Sequence, residues 1–425
     1  MYRLIGRALI FLLIFAGAVG AEGPGHFNIK AGLGYDFISQ EYFYDSLRYT
    51  ETDTALQSAL LKKDYLDDKK GFLYLGYGTK PALYNYSRHH LEVGWEQTSD
   101  LYRLLGSVDF LLGGSKDKVE GRFRYDLKER IKGQVEPGEE LSVINGALDY
   151  RRRWADFVES RIRLFAENVS FDSVSSYIYN YSRYGLELGV AFTDRDFNTF
   201  SAGSILEIRN VPDSTRLDYL MVRGSLGYFG RLLTGQLSAD LSLEYKDFDL
   251  PESSDDYLLW SLYTDSRIDF DESFFFKSKL SLEYFDFATS ENINDDYYLV
   301  RFGLLPGRQW GNFSLAVGPQ TELLGIKTDY NDEDYFEYGL LAELDFFNAS
   351  GLFFIFENEF GRRAYRNEPD YTSDFIFDRV NLIASLNIYK GLSADILLTT
   401  DWEWHEIDSD NSRIYLISAG LSYSL

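Results

Sequence analysis

The chain has 425 residues, a formal net charge of -25, no Cys, a mean hydropathy of -0.26 and 17% aromatic residues. The acidity excludes a nucleic-acid partner, the lack of Cys excludes disulfide scaffolds and thiolate metal sites, and the aromatic content excludes intrinsic disorder. Beyond residue 21, polar residues or Gly interrupt every apolar stretch well short of the ~18 residues that a membrane-spanning helix needs.

Residues 1–21 have the pattern of a secretory signal peptide. Arg3 and Arg7 precede a short apolar segment, and Ala21 ends a small-residue cleavage site. We expect cleavage after Ala21; an uncleaved anchor is the alternative. The sequence thus predicts that residues 22–425 are exported and form one domain.

The longest stretch without a strand pattern runs from Ser39 to Lys70. Thr52 or Asp53 is positioned to cap a short helix that carries Leu56, Ala59, Leu60 and Lys63 at three- and four-residue spacing. Folded inward, such a helix would narrow a pore or act as a lid. Folded outward, it would lie at the rim.

Almost everywhere else the hydrophobic pattern has a period of two, which indicates β-strands. In 184–192 and in 336–346, aromatic residues stand at both ends of the apolar face and aliphatic residues in the middle. A bilayer favours this order because aromatic rings settle at its two interfaces. Each apolar face spans the roughly 9–11 residues of a tilted membrane strand. Only a closed barrel exposes strands to lipid without leaving backbone groups unpaired.

The segment 241–248, LSLEYKDF, recurs as 280–287, LSLEYFDF. This offset of 39 residues, taken as one hairpin, predicts about 20 strands in the mature chain. A separate count of strand patterns along the sequence agrees. Eighteen strands remain possible because the pattern between 71 and 101 is weak.

Connections between the predicted strands are of two kinds. Short turns, such as 229–231 and 271–273, alternate with longer acidic loops, such as 250–256 and 327–334. In outer-membrane barrels the short turns face the periplasm and the longer loops face outside. We therefore predict an all-β fold, a single closed antiparallel transmembrane β-barrel with short periplasmic turns and longer acidic extracellular loops. A soluble propeller or solenoid is the alternative.

The last predicted strand alternates up to the end of the sequence. One face carries Tyr415, Ile417, Ala419, Leu421, Tyr423 and Leu425. In this strand, and in pattern over essentially the whole mature chain, the sequence resembles the bacterial outer-membrane β-barrel superfamily, most of all its porin-like members. The resemblance implies an insertion signal read by the barrel-insertion machinery, although that family usually ends in an aromatic residue. It also implies a location in outer-membrane lipid of a Gram-negative-type bacterium.

The faces predicted to line the lumen carry most of the charge. Basic residues mark two early strands: Arg122, Arg124, Lys128, Arg161 and Arg163. Acidic residues mark the late strands: Glu337, Glu343, Asp345, Glu357, Glu359, Asp395 and Asp401. Strands some ten apart lie across the lumen of a barrel of about 20 strands, so we predict a constriction between a basic and an acidic wall. In the alternative interpretation, these charges pair with neighbours on the same wall.

A polar, charge-lined lumen predicts a channel for passive diffusion of small hydrophilic solutes. The alternative is a structural or surface-assembly barrel, for adhesion, secretion or polymer export, with a filled or gated lumen. We expect no enzyme, since Ser87 and His89 share a face but have no third orienting residue. We also expect no cofactor and no metal, because the acidic loops at Asp329 and Asp408 lack the Gly and the closing Glu of a calcium loop.

Overall fold

The computed structural model contains one large antiparallel sheet. It describes residues 25–49, 54–79, 88–98, 101–131, 140–172, 179–212, 214, 217–248, 256–287, 296–327, 334–348, 351–366, 374–389, 392–405 and 411–424. The predicted signal peptide, Ser87, both acidic loops considered as calcium sites and Leu425 lie outside these residues.

Twenty strands account for almost all of the described chain. They are β1 (Gly25–Tyr49), β2 (Thr54–Thr79), β3 (Arg88–Gln97), β4 (Leu101–Gly113), β5 (Asp117–Arg130), β6 (Leu141–Ala155), β7 (Val158–Phe171), β8 (Tyr181–Thr193), β9 (Thr199–Asn210), β10 (Tyr219–Leu232), β11 (Gly235–Phe248), β12 (Tyr257–Asp269), β13 (Phe274–Phe287), β14 (Tyr297–Trp310), β15 (Phe313–Ile326), β16 (Tyr335–Phe347), β17 (Leu352–Tyr365), β18 (Phe375–Tyr389), β19 (Leu392–His405) and β20 (Ser412–Ser424). The described residues include no helix long and apolar enough to cross a membrane.

Every strand pairs antiparallel with the strands before and after it in sequence. The first strand also pairs with the last, from Lys30 opposite Ser424 to Tyr42 opposite Ser412. Each described strand therefore has two hydrogen-bonded neighbours.

The two faces of the sheet differ sharply in chemistry, as the period of two predicts. On one side, Leu188, Val190 and Leu340 are 45%, 47% and 56% exposed. On the other side, Glu337 and Glu322 are only 2% and 4% exposed. We call these the apolar face and the charged face. A water-soluble sheet protein has the reverse arrangement, with charge exposed and apolar side chains buried.

Aromatic side chains lie near both ends of the apolar face. At the end with the short turns, the turn end, Phe192 stands opposite Phe200. At the other end, the loop end, Trp260 stands opposite Tyr284, and Tyr284 opposite Tyr298. The aromatic order that the sequence predicts along single strands thus extends across neighbouring strands.

The number and spacing of the strands agree with the sequence-based expectation. The repeated octapeptide lies at the loop end of β11 and of β13, so its offset does correspond to one hairpin. The short turn expected at 229–231 is wrong by two residues. β10 continues to Leu232, and Leu233 occupies the turn with a φ of 56°.

The helix predicted between Thr52 and Leu66 is also wrong. From Thr54 onward this segment is part of β2, which pairs with β1 along its whole length. An isolated helix of about a dozen residues is marginal unless its apolar face packs on something. Pairing with β1 satisfies the backbone groups of this segment without the need for an apolar surface on which a helix could pack. This segment therefore forms neither a lid helix nor a rim helix.

Candidate functional site

The charged face concentrates the ionisable side chains of the described strands. Neighbouring strands lie close together in the sheet, so side chains at matching register positions on the charged face can contact one another. Some contacts extend further. Lys277 on β13 reaches Glu343 on β16, with Nζ 2.7 Å from Oε2, across the two strands between them. Such a contact requires that the sheet be concave on its charged side.

On β14–β19, acidic and basic groups alternate in one network centred on Glu337. Arg363 donates to Glu337 Oε2 at 2.7 Å and Arg379 donates to Oε1 at 3.0 Å. Arg301, on β14, donates a hydrogen bond to Glu322 on β15, with Nε 2.5 Å from Oε2. Glu337 and Arg363 are direct cross-strand partners, which explains their contact. A carboxylate as buried as Glu337 requires such pairing, since an isolated buried charge is strongly unfavourable.

The predicted acidic wall thus includes cations that the sequence analysis did not single out. Arg379 also lies 3.7 Å from Glu359 and 3.6 Å from Asp401. Glu359 accepts a further hydrogen bond from Gln320 at 2.6 Å. Arg363 and Arg379 stand at alternate positions that face the charged side of their strands. This alternation is the sequence signal that could have identified them. The reach of Lys277 across two strands leaves no signal in the sequence.

A second network connects β4–β8, where the basic wall was predicted. Arg122 donates to Asp109 at 2.9 Å, and Arg163 lies 3.3 Å from Glu187. Arg161 pairs with Asp149, which is buried. The contacts therefore match the alternative interpretation, in which charges of opposite sign pair along one wall.

Two further predicted lumen residues, Arg124 and Lys128, lie on β5. Arg124 is exposed on β5. Lys128 lines a cleft of about 350 Å³ together with Glu96, Arg103 and Asp126. These positions leave basic groups accessible on β5, and their role in a constriction stays a prediction.

The remaining predicted acidic residues lie on β16, β17 and β19. Asp345 lies 3.9 Å from Lys277, and Asp395 accepts a hydrogen bond from Ser385 at 2.6 Å. Glu357 stands opposite Glu343 in the register of β16 and β17. All of them lie on the charged face, and their place in a lumen stays a prediction.

A repeated motif marks the loop end of the charged face. An Asp or Asn stands immediately before an aromatic residue that opens the next strand: Asn180-Tyr181, Asp218-Tyr219, Asp256-Tyr257, Asp296-Tyr297, Asp334-Tyr335 and Asp374-Phe375. Each acidic or amide side chain accepts a hydrogen bond from a backbone N–H at the end of the preceding strand. The sequence analysis missed this motif, although its regular recurrence is visible in the sequence.

Several of these tyrosines also hold the carboxylates below them. The hydroxyl groups donate to glutamates of the preceding strand, Tyr219 to Glu207, Tyr257 to Glu244 and Tyr335 to Glu322, at 2.6–2.7 Å. Cations cover some of the rings. Lys246 Nζ lies 3.9 Å from the centre of the Tyr219 ring, and the Arg363 guanidinium 3.9 Å from that of Tyr335. The loop end of the charged face is therefore a dense layer of rings and ions.

The described residues contain no group of three or more side chains that could hold a metal ion. His89 is described, whereas its predicted partner Ser87 is not, so the structure brings no such pair together.

Searches against known proteins return likeness in structure alone. No protein-family model and no curated protein sequence matches the chain. The siderophore receptor PirA from Pseudomonas aeruginosa is similar over 93% of this chain and 80% of its own, with a TM-score of 0.53 and 11% identity. The siderophore receptor PirA from Acinetobacter baumannii is similar over the same shares, with a TM-score of 0.54 and 9% identity. A BenF-like porin from Pseudomonas fluorescens Pf-5 aligns over 93% of this chain and 99% of its own, with a TM-score of 0.46 and 11% identity.

The chain therefore shares the fold of these two siderophore receptors.

Proposed function

We propose that the chain is a closed transmembrane barrel of the outer membrane that forms a channel for passive diffusion of small hydrophilic solutes. The observation that carries the proposal is the distribution of side chains on the ring of paired strands. Apolar side chains are exposed on one face, while paired charges cover the other and concave face. In lipid, the apolar face contacts hydrocarbon and the charged face lines a water-filled lumen.

The strand number is compatible with an aqueous path. Barrels of roughly 16–18 strands enclose channels, whereas barrels of about 22 strands have a plugged lumen. A sheet of twenty strands lies between these two. The orientation follows the same pattern, with the short turns in the periplasm, the longer loops outside, and Tyr415, Ile417 and Leu421 of β20 in the signal read by the insertion machinery. The protein has no enzymatic role in this proposal.

The experiment is a liposome-swelling assay with the refolded mature chain and uncharged sugars of increasing size. We expect swelling with small sugars and a sharp decrease in rate as the sugar approaches the width of the lumen. A correctly folded, heat-resistant barrel that admits none of them would contradict a diffusion channel and would favour a filled or gated lumen.

A further inference from the structure

The cleft beside Lys128 lies at the loop end of the charged face, over β3–β6, and has a volume of about 350 Å³. Glu96, Arg103 and Lys128 line it and stand side by side in the register of β3, β4 and β5. Leu141 of β6 continues this row beside Lys128. Pockets that bind small molecules have volumes of roughly 300–1,000 Å³, so the cleft has room for a small solute.

Arg103, in the middle of the row, is already paired with carboxylates. Its Nε donates to Asp126 Oδ1 at 2.8 Å, and its Nη2 donates to Asp126 Oδ2. Its Nη1 lies 3.7 Å from Glu96 Oε2. The guanidinium therefore fixes the two carboxylates of the cleft, and Asp126 is fully engaged by it.

Glu96 is held from its other side by Tyr74 of β2, whose hydroxyl group donates to Glu96 Oε1. Gly94 stands directly opposite Tyr74, and a Cβ at Gly94 would lie 2.3 Å from a carbon of the Tyr74 ring. The lack of a side chain at Gly94 thus lets the ring reach over β3 to Glu96. The carboxylate of Glu96 has a fixed position, while its side chain stays 24% exposed.

Lys128 differs from these residues because its ammonium group has no ion-pair partner within the described part of the chain. It stands two strands from Glu96, a separation of roughly 9–10 Å between the backbones. Leu101 and Leu141 give the same cleft an aliphatic lining. The cleft therefore offers a carboxylate on one side, an unpaired ammonium on the other and an apolar surface beside them.

We propose that this cleft binds a zwitterionic α-amino acid with an aliphatic side chain, such as leucine, at the entrance of the channel. The inference rests on the proposed channel and names its solute class. The ammonium of the amino acid donates to Glu96, its carboxylate accepts from Lys128, and its side chain packs on Leu101 and Leu141. The lengths agree, since an α-amino acid with a charge-assisted hydrogen bond of about 2.8 Å at each end spans roughly 9 Å.

The charges of the cleft favour a zwitterion over a simple ion. Arg103 and Asp126 satisfy each other, which leaves Glu96 and Lys128 to act on a solute. A simple anion at Lys128 adds negative charge near Glu96, and a simple cation at Glu96 adds positive charge near Lys128. A zwitterion compensates both groups at once.

The experiment is a saturation-transfer NMR titration of L-leucine with the refolded chain in detergent micelles. Two competitors share the aliphatic body of leucine: 4-methylpentanoate lacks the ammonium, and 3-methylbutylamine lacks the carboxylate. Each should bind at least about tenfold more weakly than leucine, because one charge-assisted hydrogen bond is lost.

Variants assign the binding to the cleft. Lys128→Gln should weaken leucine binding about tenfold without weakening 3-methylbutylamine, which makes no use of Lys128. Lys128→Arg keeps the charge and should retain leucine binding. Lys118→Gln is the matched control, because Lys118 lies on the same strand and the same face at the turn end, and it should leave leucine binding unchanged.

The same preparation is reconstituted and tested for swelling with uncharged sugars, so that the site and the channel are judged separately. A barrel that admits sugars but does not bind leucine would overturn the inference, as would equal effects of Lys128→Gln and Lys118→Gln. Binding of 4-methylpentanoate as tight as that of leucine would also overturn it, since the cleft would then be an anion site. Leucine binding with these dependences in a barrel that admits no sugar would support the site and contradict the channel.

Discussion

Glu337 is a charged side chain that is almost completely buried, and its two arginines make that burial tolerable. Arg363 and Arg379 each donate to a different carboxylate oxygen, and both arginines are themselves largely buried. Removing Glu337 takes the nearest carboxylate from both arginines, and breaking a buried ion pair in this way typically costs about 3–5 kcal/mol. Glu337→Ala should therefore lower the free energy of unfolding by about that amount.

Urea unfolding in lipid vesicles measures this effect. Glu272→Ala, in an exposed turn, is the matched control and should change stability by less than about 0.5 kcal/mol. Equal losses for the two variants would contradict a structural role for the Glu337 network.

Arg124 is accessible on the charged face, so in the proposed channel its charge would act on ions in the lumen. A unit charge about 10 Å from a permeating ion contributes about 0.4 kcal/mol in water, a factor of about two in relative permeability. Arg124→Ser should thus shift the reversal potential in a salt gradient toward cation selectivity. Arg152→Ser is the control, because Arg152 stacks on Trp154 at 4.3 Å on the apolar face. Identical shifts for both variants would remove Arg124 from the permeation path.

Two turn carboxylates tie stability to pH. Asp271 accepts the backbone N–H groups of Ser273 and Phe274 at 2.6 and 2.7 Å, and these hydrogen bonds hold its pKa below the ordinary value. Hydrogen bonds from Asn198 lower the pKa of Asp194 in the same way. A carboxylate with a depressed folded-state pKa stabilises the fold above its unfolded-state pKa. That contribution is lost as the pH falls through the folded-state pKa.

The double change Asp194→Asn, Asp271→Asn should reduce the loss of stability on going from pH 5 to strongly acidic pH. Thermal unfolding as a function of pH measures this difference. If the loss of stability at acidic pH is the same in the variant as in the wild-type protein, other carboxylates dominate the acid sensitivity.

At the scale of single elements, the strands were predictable because each carries its own alternation. The period of two in 184–192 and the octapeptide repeat place β8, β11 and β13 correctly. The region of β1 and β2 was not predictable in this way. The spacing of Leu56, Ala59, Leu60 and Lys63 also fits a helix, and the choice between helix and strand depends on pairing with β1, which local spacing does not encode.

Six hairpins at the loop end share one device, an Asp or Asn side chain that accepts a backbone N–H from the end of the preceding strand. Asp334 accepts the Ile326 N–H at 2.6 Å just before β16 begins. Asp334→Ala removes this charge-assisted bond, worth about 1.5–3 kcal/mol, and should let the end of the hairpin open locally. Hydrogen exchange of the Ile326 amide should become at least about tenfold faster, while Asp334→Asn keeps an acceptor oxygen and should change it little. Equal exchange rates of the Ile326 amide in the wild-type protein and in both variants would contradict this role of Asp334.

For the whole molecule, sequence parity located the charged face but not its electrostatics. The predicted residues from Arg122 to Asp401 all lie on the charged face. Their partners could not be inferred from one strand at a time, because a pair such as Glu337 and Arg363 depends on the register between strands. Contacts that cross two strands, such as Lys277 with Glu343, depend in addition on the curvature of the entire sheet.

The central claim concerns the entire ring of strands, whose charged face should enclose a continuous water path. Single-channel recording of the refolded mature chain in a planar bilayer tests this claim most directly. The account predicts stable open steps whose conductance rises with salt concentration, and a reversal potential that moves when Arg124 becomes Ser. A folded, heat-resistant barrel that inserts into the bilayer and passes no current would contradict it.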